Sequence, residues 1–313
     1  MTEPFDVLCD FLRRNSGLVV EPSKRYLVES RILPIVRREK LASLDELVRL
    51  IERGKSPQLA KDVIQAMTIN ETYFFRDKMP FDIFRDVVLP KLLKARSAER
   101  KLRIWSAACS TGQEPYSLAM LLDEAAAKLS GWTIEIVATD LSEAVLEKAR
   151  KGTYSQFEVQ RGLPTTYLLR HFNQIGDSWQ LNEALRSRVT FRSLNLLSDF
   201  SALGRFDVIF CRNVLIYFDT TRKEDVLKRM SRILSPEGFL LLGASESLIG
   251  LNTDLSSHPD HRCLHMRSTD ASTPATAAPK PAWKPTVLPE PPSTAPTRLT
   301  TSSPAPARVR TSR

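Results

Sequence analysis

The chain has 313 residues, of which 42% are hydrophobic, so it can bury a sizeable core divided over about two domains. Its formal net charge is +9, but residues 271–313 hold six Lys/Arg against the single Glu290, so the rest is only mildly basic and nucleic-acid binding is not indicated. No apolar stretch approaches the ~18–20 residues that span a bilayer, and Met1–Asp10 lacks the pattern of a signal peptide. Four cysteines without C-x-x-C spacing indicate reduced thiols. These features predict a cytoplasmic protein without membrane insertion.

Residues 1–75 predict a small all-α domain, because apolar residues recur there at helical spacing and no strand pattern is present. Ser23 is a candidate cap for the second helix, which Pro34 should kink or divide. Ser43 and Glu46 have the spacing of a capping box at the third helix. The four predicted helices run from Phe5 to about residue 16, from Ser23 to Val36, from Leu44 to Arg53 and from Leu59 to Met67.

The second helix is basic, with six Lys/Arg between Lys24 and Lys40 against Glu29 and Glu39. Three of these cations recur every seventh residue and should share one side of a continuous helix: Lys24, Arg31 and Arg38. Most runs of this kind are solvated charged faces. The alternative is a docking face for an acidic helical partner.

Residues 69–77 combine polar, aromatic and basic side chains at the junction of the two predicted domains. One interpretation is that Tyr73–Phe75 only hold the domains together. The other is that Asn70, Thr72 and Arg76 face a small-molecule cleft, since such clefts often lie between domains.

An amphipathic connecting helix is predicted over Phe81 to Leu93, and an α/β body from Leu102 onward. Strand and helix patterns alternate in this body, which indicates a mostly parallel sheet. Residues 152–188 interrupt the alternation, and a turn signal at 175–178 predicts an inserted, small antiparallel β subdomain. The predicted strands are Leu102–Trp105, Thr133–Thr139, Val189–Phe191, Phe206–Cys211, Phe239–Gly243 and Cys263–Arg267.

The first predicted strand leads through small residues to a turn at Thr111-Gly112, and a helix restarts at Pro115. In α/β folds this strand-to-helix turn brings backbone amides up to a ligand. Glu114 at the helix start would repel a phosphate and attract the cationic end of an amino-acid-like molecule. An ordinary strand–helix turn is the alternative interpretation.

Polar residues also follow two other predicted strands. Asp140 ends the second strand, where doubly wound folds bind ribose hydroxyls. It could also cap the helix over residues 142–151, but its pairing with the loop favours the ribose role. Arg212 and Asn213 follow the strand Phe206–Cys211, and Tyr217 lies shortly beyond them.

The C-terminal part gives no metal site and no core. The spacing of its histidines and cysteine fits no zinc pattern, so no metal is predicted from His258, His261, Cys263 and His265. Residues 269–313 are rich in Pro, Ala, Ser and Thr and basic in net charge, which predicts a disordered tail.

Four segments in this order together resemble the family of chemotaxis receptor methyltransferases (CheR): Asn70–Arg76, Cys109–Ser117, Ala138–Asp140 and Phe206–Phe218. The resemblance implies an all-α domain (1–75) for receptor docking, joined to a Rossmann-like methyltransferase domain (76–268) that uses S-adenosyl-L-methionine. It also implies O-methylation of glutamate side chains on chemoreceptors in the cytoplasm.

Carried over to matching positions, the resemblance implies that Arg76 and Tyr217 border the reacting methyl group and act as catalytic residues. The basic helix Lys24–Lys40 would dock the receptor's cytoplasmic domain. The hairpin at Gly176 is short beside relatives that grip a receptor's C-terminal peptide, so we expect activity independent of that peptide, from a monomer. The implied cofactor contacts are Asn70, Thr72, Arg76, Glu114, Asp140, Asn195, Leu196, Arg212 and Asn213.

Two other functions compete with this interpretation. A nicotinamide-dependent oxidoreductase is disfavoured, because the loop lacks G-x-G-x-x-G and carries Glu114 where a pyrophosphate would lie. A cofactor-binding signalling adaptor without turnover is disfavoured by the presence of Arg76 and Tyr217.

Overall fold

The computed structural model describes residues 3–268. The tail predicted over 269–313 lies outside these residues. Within the described part, no helix is both long enough and apolar enough to cross a membrane.

Four helices form the N-terminal unit: α1 (Pro4–Ser16), α2 (Arg25–Arg38), α3 (Leu44–Glu52) and α4 (Pro57–Met67). A proline stands in the first turn of α1, where its missing N–H leaves no intrahelical bond unmade, and Gly17 ends the helix in the left-handed conformation. The apolar faces meet in a core of their own that includes Leu12, Ile32 and Val63. The predicted all-α domain is therefore confirmed.

The structure differs from the helix predictions in three details. Ser23 makes no capping bond, because it lies within a 3₁₀ turn that precedes α2. Of the two outcomes expected at Pro34, a kink or a division, the division does not occur: α2 continues to Arg38, since Ile32 and Ile35 are buried and their packing outweighs one lost backbone bond. The capping box is incomplete: Ser43 accepts the Glu46 N–H at 3.3 Å, but the Glu46 carboxylate accepts the N–H of Ala42 instead.

A continuous helical segment connects the two parts of the chain, as predicted: α5 (Met79–Ile83), one π turn (Phe84–Val88) and α6 (Leu89–Ala95). The Leu89 N–H donates to the carbonyl of Phe84, five residues back. The widened turn comes just before Pro90, which has no N–H to donate.

Ten strands follow: β1 (Lys101–Ala107), β2 (Thr133–Asp140), β3 (Thr153–Ser155), β4 (Phe172–Ile175), β5 (Ser178–Leu181), β6 (Val189–Ser193), β7 (Phe206–Cys211), β8 (Leu234–Leu242), β9 (Leu255–His258) and β10 (His261–Arg267). Six helices lie between them: α7 (Gln113–Glu124), α8 (Glu143–Lys151), α9 (Gln156–Gln160), α10 (Thr165–His171), α11 (Glu183–Arg186) and α12 (Thr220–Ile233).

Seven strands form the main sheet in the order β6-β2-β1-β7-β8-β10-β9. The first five are parallel, and β10 is antiparallel to both of its neighbours. Ala107 of β1 pairs with Thr139 on one side and Cys211 on the other, so the carboxyl ends of β2, β1 and β7 meet at one edge. The chain reverses its direction across the sheet between β1 and β7, which is where open α/β sheets bind ligands.

The insertion is a three-stranded antiparallel sheet in the order β3-β5-β4, with a two-residue turn at Gly176-Asp177. Its buried Tyr154 and Phe172 pack edge-on against Phe74, which belongs to the junction segment. The predicted fold class is therefore confirmed: a Rossmann-like domain, an all-α N-terminal domain and an inserted antiparallel subdomain.

Candidate functional site

One pocket opens at the edge where β2, β1 and β7 end, and it encloses about 1000 Å³ counted out to its open mouth. Every site residue predicted from the sequence lines it: Asn70, Thr72, Arg76, Glu114, Asp140, Asn195, Leu196, Arg212, Asn213 and Tyr217.

The floor of the pocket is the turn between β1 and α7. Ala108 and Ser110 are both left-handed, with φ of 57° and 50°, and Gly112 has φ of 93°. A Cβ on Gly112 would lie 2.9 Å from the Cβ of Ala149, so glycine is required there. Left-handed non-glycine residues store backbone strain, and such strain is concentrated at functional sites.

Asp140 fastens this turn. One carboxylate oxygen accepts the Ser110 N–H and the other accepts the Ser142 N–H, each at 2.9 Å. Asp140 is not the cap of α8, whose N-cap residue is Ser142, but it holds the N–H of that residue. Burial raises the pKa of this carboxyl, against the lowering effect of the two N–H donors. Each oxygen keeps a second lone pair with which it can accept a hydrogen bond from a ligand hydroxyl.

Glu114 is not the free carboxylate that the sequence suggested. It accepts the Ser106 hydroxyl at 2.8 Å and is paired with Arg212 at 2.9 Å. Arg212, with 1% of its side chain exposed, also pairs with Asp77 at 2.9 Å and donates to the Arg76 carbonyl at 2.7 Å. Burial raises the pKa of Glu114, and the guanidinium opposes that rise. When both carboxylates are ionised, the trio carries one negative charge, which suits a ligand with a cationic, hydrogen-donating group.

The junction segment 70–77 fills both of the roles considered for it. Phe74 and Phe75 are buried in the core of the α/β domain, and the Phe75 N–H donates to Ser117. The polar residues line the pocket, and Arg76 donates to the Glu71 carbonyl at 2.6 Å. Three residues of this turn are left-handed, namely Phe75, Asp77 and Lys78.

The opposite wall comes from the helical domain and was missed by the sequence analysis. Ser16 and Leu18 line the pocket. Asn195 donates to the carbonyl of Asn15 at 2.6 Å, and Val19 donates its N–H to the carbonyl of Tyr217 at 2.9 Å. The first of these contacts joins residues 180 positions apart and the second spans a still longer separation, so neither leaves a local sequence pattern. Gly17, between the two lining residues, was the one available signal.

Tyr217 ends a 3₁₀ turn that follows β7. Burial raises the pKa of its phenol, and the charge of Arg76 lowers it. The hydroxyl is therefore neutral near pH 7 and available as a hydrogen-bond donor.

The basic stripe of α2 is largely engaged within the domain. Arg38 pairs with Asp62 of α4, and Arg31 donates to the carbonyls of Met67 and Thr68 at the end of that helix. Lys24 is paired with Glu21. Within residues 3–268, the cations of this stretch with no carboxylate at salt-bridge distance are Arg31, Arg37 and Lys40.

The histidines near the C-terminal end lie on a hairpin, where His258 and His261 stack with their ring centroids 5.0 Å apart. Across the described part of the chain, no group of three or more His, Cys, Asp or Glu is arranged to hold a metal ion.

Comparison with known families identifies the domain that contains the pocket. The sequence model described as "CheR methyltransferase, SAM binding domain" matches residues 70–263, so the α/β unit is a methyltransferase domain that binds S-adenosylmethionine. The model described as "CheR methyltransferase, all-alpha domain" matches residues 3–68. The chain belongs to the CheR methyltransferase family, as its four sequence segments indicated.

Curated relatives extend this result over most of the chain. "Chemotaxis protein methyltransferase 1" of Pseudomonas aeruginosa is 45% identical over 261 residues, which are 82% of this chain and 92% of that protein. "Chemotaxis protein methyltransferase Cher2" of Pseudomonas putida is 43% identical, over 80% and 90%. "Chemotaxis protein methyltransferase" of Salmonella typhimurium is 35% identical, over 80% and 86%.

The residues present fit this cofactor. S-adenosylmethionine has an amino group and two ribose hydroxyls, all hydrogen-bond donors, and a positively charged sulfur. The pocket is lined by the carboxylates of Glu114 and Asp140, and the Arg212 guanidinium that pairs with Glu114 is also held by Asp77. Apolar side chains supply the remaining surface, among them Leu18, Leu141 and Leu196.

Proposed function

We propose that this protein transfers the methyl group of S-adenosylmethionine to glutamate side chains of chemoreceptors, forming glutamyl methyl esters in sensory adaptation. The observation that carries the proposal is the convergence of Arg76 and Tyr217 with the buried carboxylates on one pocket. The names of the curated relatives support a role in chemotaxis.

Within this proposal, Asp140 accepts hydrogen bonds from the ribose hydroxyls. Glu114, whose charge is shared with Arg212 and Asp77, favours the cofactor's amino group. The other proposed cofactor contacts come from the segments that border the pocket: Asn70, Thr72, Arg76, Asn195, Leu196 and Asn213.

The reaction requires no general base. A glutamate side chain has a reference pKa near ~4.3, so it is already an anionic nucleophile at neutral pH. S-adenosylmethionine supplies a methyl group on a positively charged sulfur, and the carboxylate oxygen displaces a neutral thioether. The protein therefore has to align the reacting atoms in line and exclude water, which can contribute several kcal/mol.

Arg76 and Tyr217 are the residues proposed for that alignment. Arg76 directs one N–H to the Glu71 carbonyl, and its remaining guanidinium donors can hold the incoming carboxylate. The Tyr217 phenol, kept protonated by burial, donates a hydrogen bond that orients the same group. The carboxylate keeps its charge until the methyl group arrives.

The acceptor reaches this pocket across α2 in our proposal, with the basic helix Lys24–Lys40 docking the receptor's cytoplasmic domain. Arg31 of α2 donates to the carbonyl of Thr68, which lines the pocket, so α2 adjoins the pocket. Tyr26 and Leu33 are 70% and 41% exposed, and Arg37 follows one turn later. An acidic amphipathic helix complements such a surface. We propose a monomer that does not need a receptor's C-terminal peptide.

The experiment that tests this function is a transfer assay with radiolabelled S-adenosylmethionine and chemoreceptors that carry or lack their C-terminal peptide. We expect base-labile methyl esters in both receptors. Arg76→Ala should lower kcat more than about 100-fold, since a donor to the reacting group is lost. Arg53→Ala, on the exposed end of α3, is the matched control.

Binding of the cofactor without any transfer would instead favour a signalling adaptor. If the radiolabelled methyl group is not released by mild base, the acceptor is not a carboxylate. If Arg76→Ala turns over at the wild-type rate, Arg76 has no part in the mechanism.

A further inference from the structure

A single carboxylate behind the pocket receives four backbone N–H groups. One oxygen of Glu246 accepts from Asn213 at 2.8 Å and from Gly243 at 2.7 Å. Its other oxygen accepts from Val214 at 3.1 Å and from Leu215 at 2.8 Å. Glu246 thereby connects the segment that leaves β7 to the segment that leaves β8.

These four donors lie beyond the strands, because the chain leaves the sheet after Cys211 for three of them and after Leu242 for Gly243. Asn213 is left-handed, with φ of 57°, so successive N–H groups converge on one point as in an anion-binding nest. A carboxylate has about four lone-pair sites and no proton, and it can accept all four bonds. A glutamine at the same position has one acceptor atom and would direct an N–H₂ at two of the donors.

Gly243, one of the four donors, leaves the space that the Glu246 carboxylate occupies. A Cβ on Gly243 would lie 2.7 Å from a carboxylate oxygen of Glu246 and 3.0 Å from the Asn213 nitrogen. Any side chain here would push Glu246 away from the segment it holds. This contact gives a second way to disturb the arrangement without removing a functional group.

The segment held in this way is one that faces the cofactor pocket. Asn213 and Tyr217 line that pocket, and Leu215 begins the 3₁₀ turn that ends at Tyr217. Glu246 does not line that pocket; it lines a second cavity together with Leu215, Lys223 and Leu251. Its effect on the pocket therefore passes through the backbone of this segment.

We propose that Glu246 is a positioning residue of the methyltransferase, which sets Asn213 against the cofactor and Tyr217 against the transferred methyl group by binding four N–H groups. The role of Tyr217 rests on the function proposed above, whereas the role of Asn213 requires only that the pocket binds S-adenosylmethionine.

The test compares Glu246→Gln with Glu224→Gln. Glu224 also accepts a backbone N–H, that of Asn252 at 2.9 Å, but only one, which an amide oxygen can still accept. We expect Glu246→Gln to raise the Kd for S-adenosylmethionine and to lower kcat, each about tenfold, because partly buried N–H donors lose their acceptor. Glu224→Gln should stay within about twofold of wild type for both quantities.

Two further measurements separate positioning from a general loss of structure. Calorimetric titration reports the fraction of molecules that bind, and it should stay near one site per chain while Kd rises. In a double-mutant cycle, Tyr217→Phe should cost less kcat in the Glu246→Gln background than in wild type, since a misplaced phenol is already ineffective.

Gly243→Ala should reproduce the rise in Kd, and it decides the question if Glu246→Gln does not fold. The proposal is overturned if both variants bind and turn over like Glu224→Gln, or if the effects of Tyr217→Phe and Glu246→Gln multiply independently. Because Kd is measured without an acceptor, a failure of glutamate methylation in wild type leaves the binding test valid.

Discussion

The two walls of the pocket are built by different means. On the sheet side, Glu114, Asp140 and Arg212 are buried side chains at the ends of strands or the start of a helix, and each is hydrogen-bonded. On the helical side, the connection after α1 contributes backbone groups, such as the carbonyl of Asn15 and the N–H of Val19. The sheet wall thus depends on side-chain charge, whereas the helical wall depends on backbone shape. A substitution that removes a charge should therefore disturb the sheet wall, and one that adds a side-chain atom should disturb the helical wall.

Removal of the buried guanidinium should have the largest effect. Arg212→Met keeps much of the apolar stem but leaves Glu114 buried without its cation, and Asp77 loses the same partner. We expect a loss of about 3–5 kcal/mol in the free energy of unfolding. Urea denaturation measures this loss, and calorimetry should show weaker cofactor binding.

The double variant Glu114→Gln/Arg212→Met provides the control, because it removes both charges of the pair. It should be more stable than Arg212→Met alone, although one substitution has been added. If the double variant is less stable than Arg212→Met, the unpaired Glu114 carboxylate is not the cause of the instability of Arg212→Met.

On the helical wall, the matched test is an added methyl group. Gly17 has φ of 79°, and a Cβ there would lie 2.7 Å from the ring of Phe218. Gly17→Ala should cost about 2 kcal/mol in unfolding free energy, from the left-handed backbone and from the clash, and should weaken cofactor binding.

Gly54 provides the comparison, since it has φ of 63° but no atom within 4 Å of the added Cβ. Gly54→Ala should cost about 1 kcal/mol from backbone strain alone and leave cofactor binding unchanged. If Gly17→Ala and Gly54→Ala lower the free energy of unfolding equally, the Phe218 ring moves aside from the added methyl group at no measurable cost.

The sheet wall could be predicted from the sequence because its residues lie directly next to strand ends. Parallel strands place their carboxyl ends at one edge, so Glu114, Asp140 and Arg212 were brought together by topology alone. The bond between Glu114 and Arg212 was not predictable, because it depends on the lateral order of β1 and β7. Glu246 was missed for a related reason: it follows β8 and acts on the backbone after β7.

The helical domain was predicted as a set of helices but not as a wall of the pocket. Apolar spacing gives the buried face of each helix and contains no information on which domain surface it meets. Pro34 shows the same limit, because packing of α2 against its neighbours outweighed a strong local signal. The stripe formed by Lys24, Arg31 and Arg38 was found from spacing, yet Asp62, which neutralises Arg38, belongs to another helix.

That neutralisation predicts a difference between adjacent arginines of α2. Arg37 has no carboxylate partner within the described residues, whereas Arg38 pairs with Glu39 and Asp62. In our docking proposal, Arg37→Ala should raise the KM for receptor about threefold, and Arg38→Ala should raise it less. Steady-state assays at low salt measure this difference, which should shrink at high ionic strength. A larger effect of Arg38→Ala would place the docking surface on the side of α2 that faces α4.

The smallest effect is expected from pH changes around neutrality. Burial raises the pKa of the Tyr217 phenol, so it stays protonated, and the acceptor glutamate is ionised throughout. Within the described part of the chain, no histidine lines the pocket. We therefore expect kcat to stay within about twofold between about pH 7 and 9.

At acidic pH we expect a change, and the KM for S-adenosylmethionine should change at a higher pH than kcat does. Burial raises the pKa of Glu114 and of Asp140, so both protonate at a higher pH than exposed carboxyls do. Their negative charge is present above those pKa values and is lost as the pH falls through them. The KM for S-adenosylmethionine should therefore rise in acid while kcat at saturating cofactor changes less. An inflection in kcat near pH 7 would instead indicate a titrating base, and the sheet wall would then supply more than fixed charge and alignment.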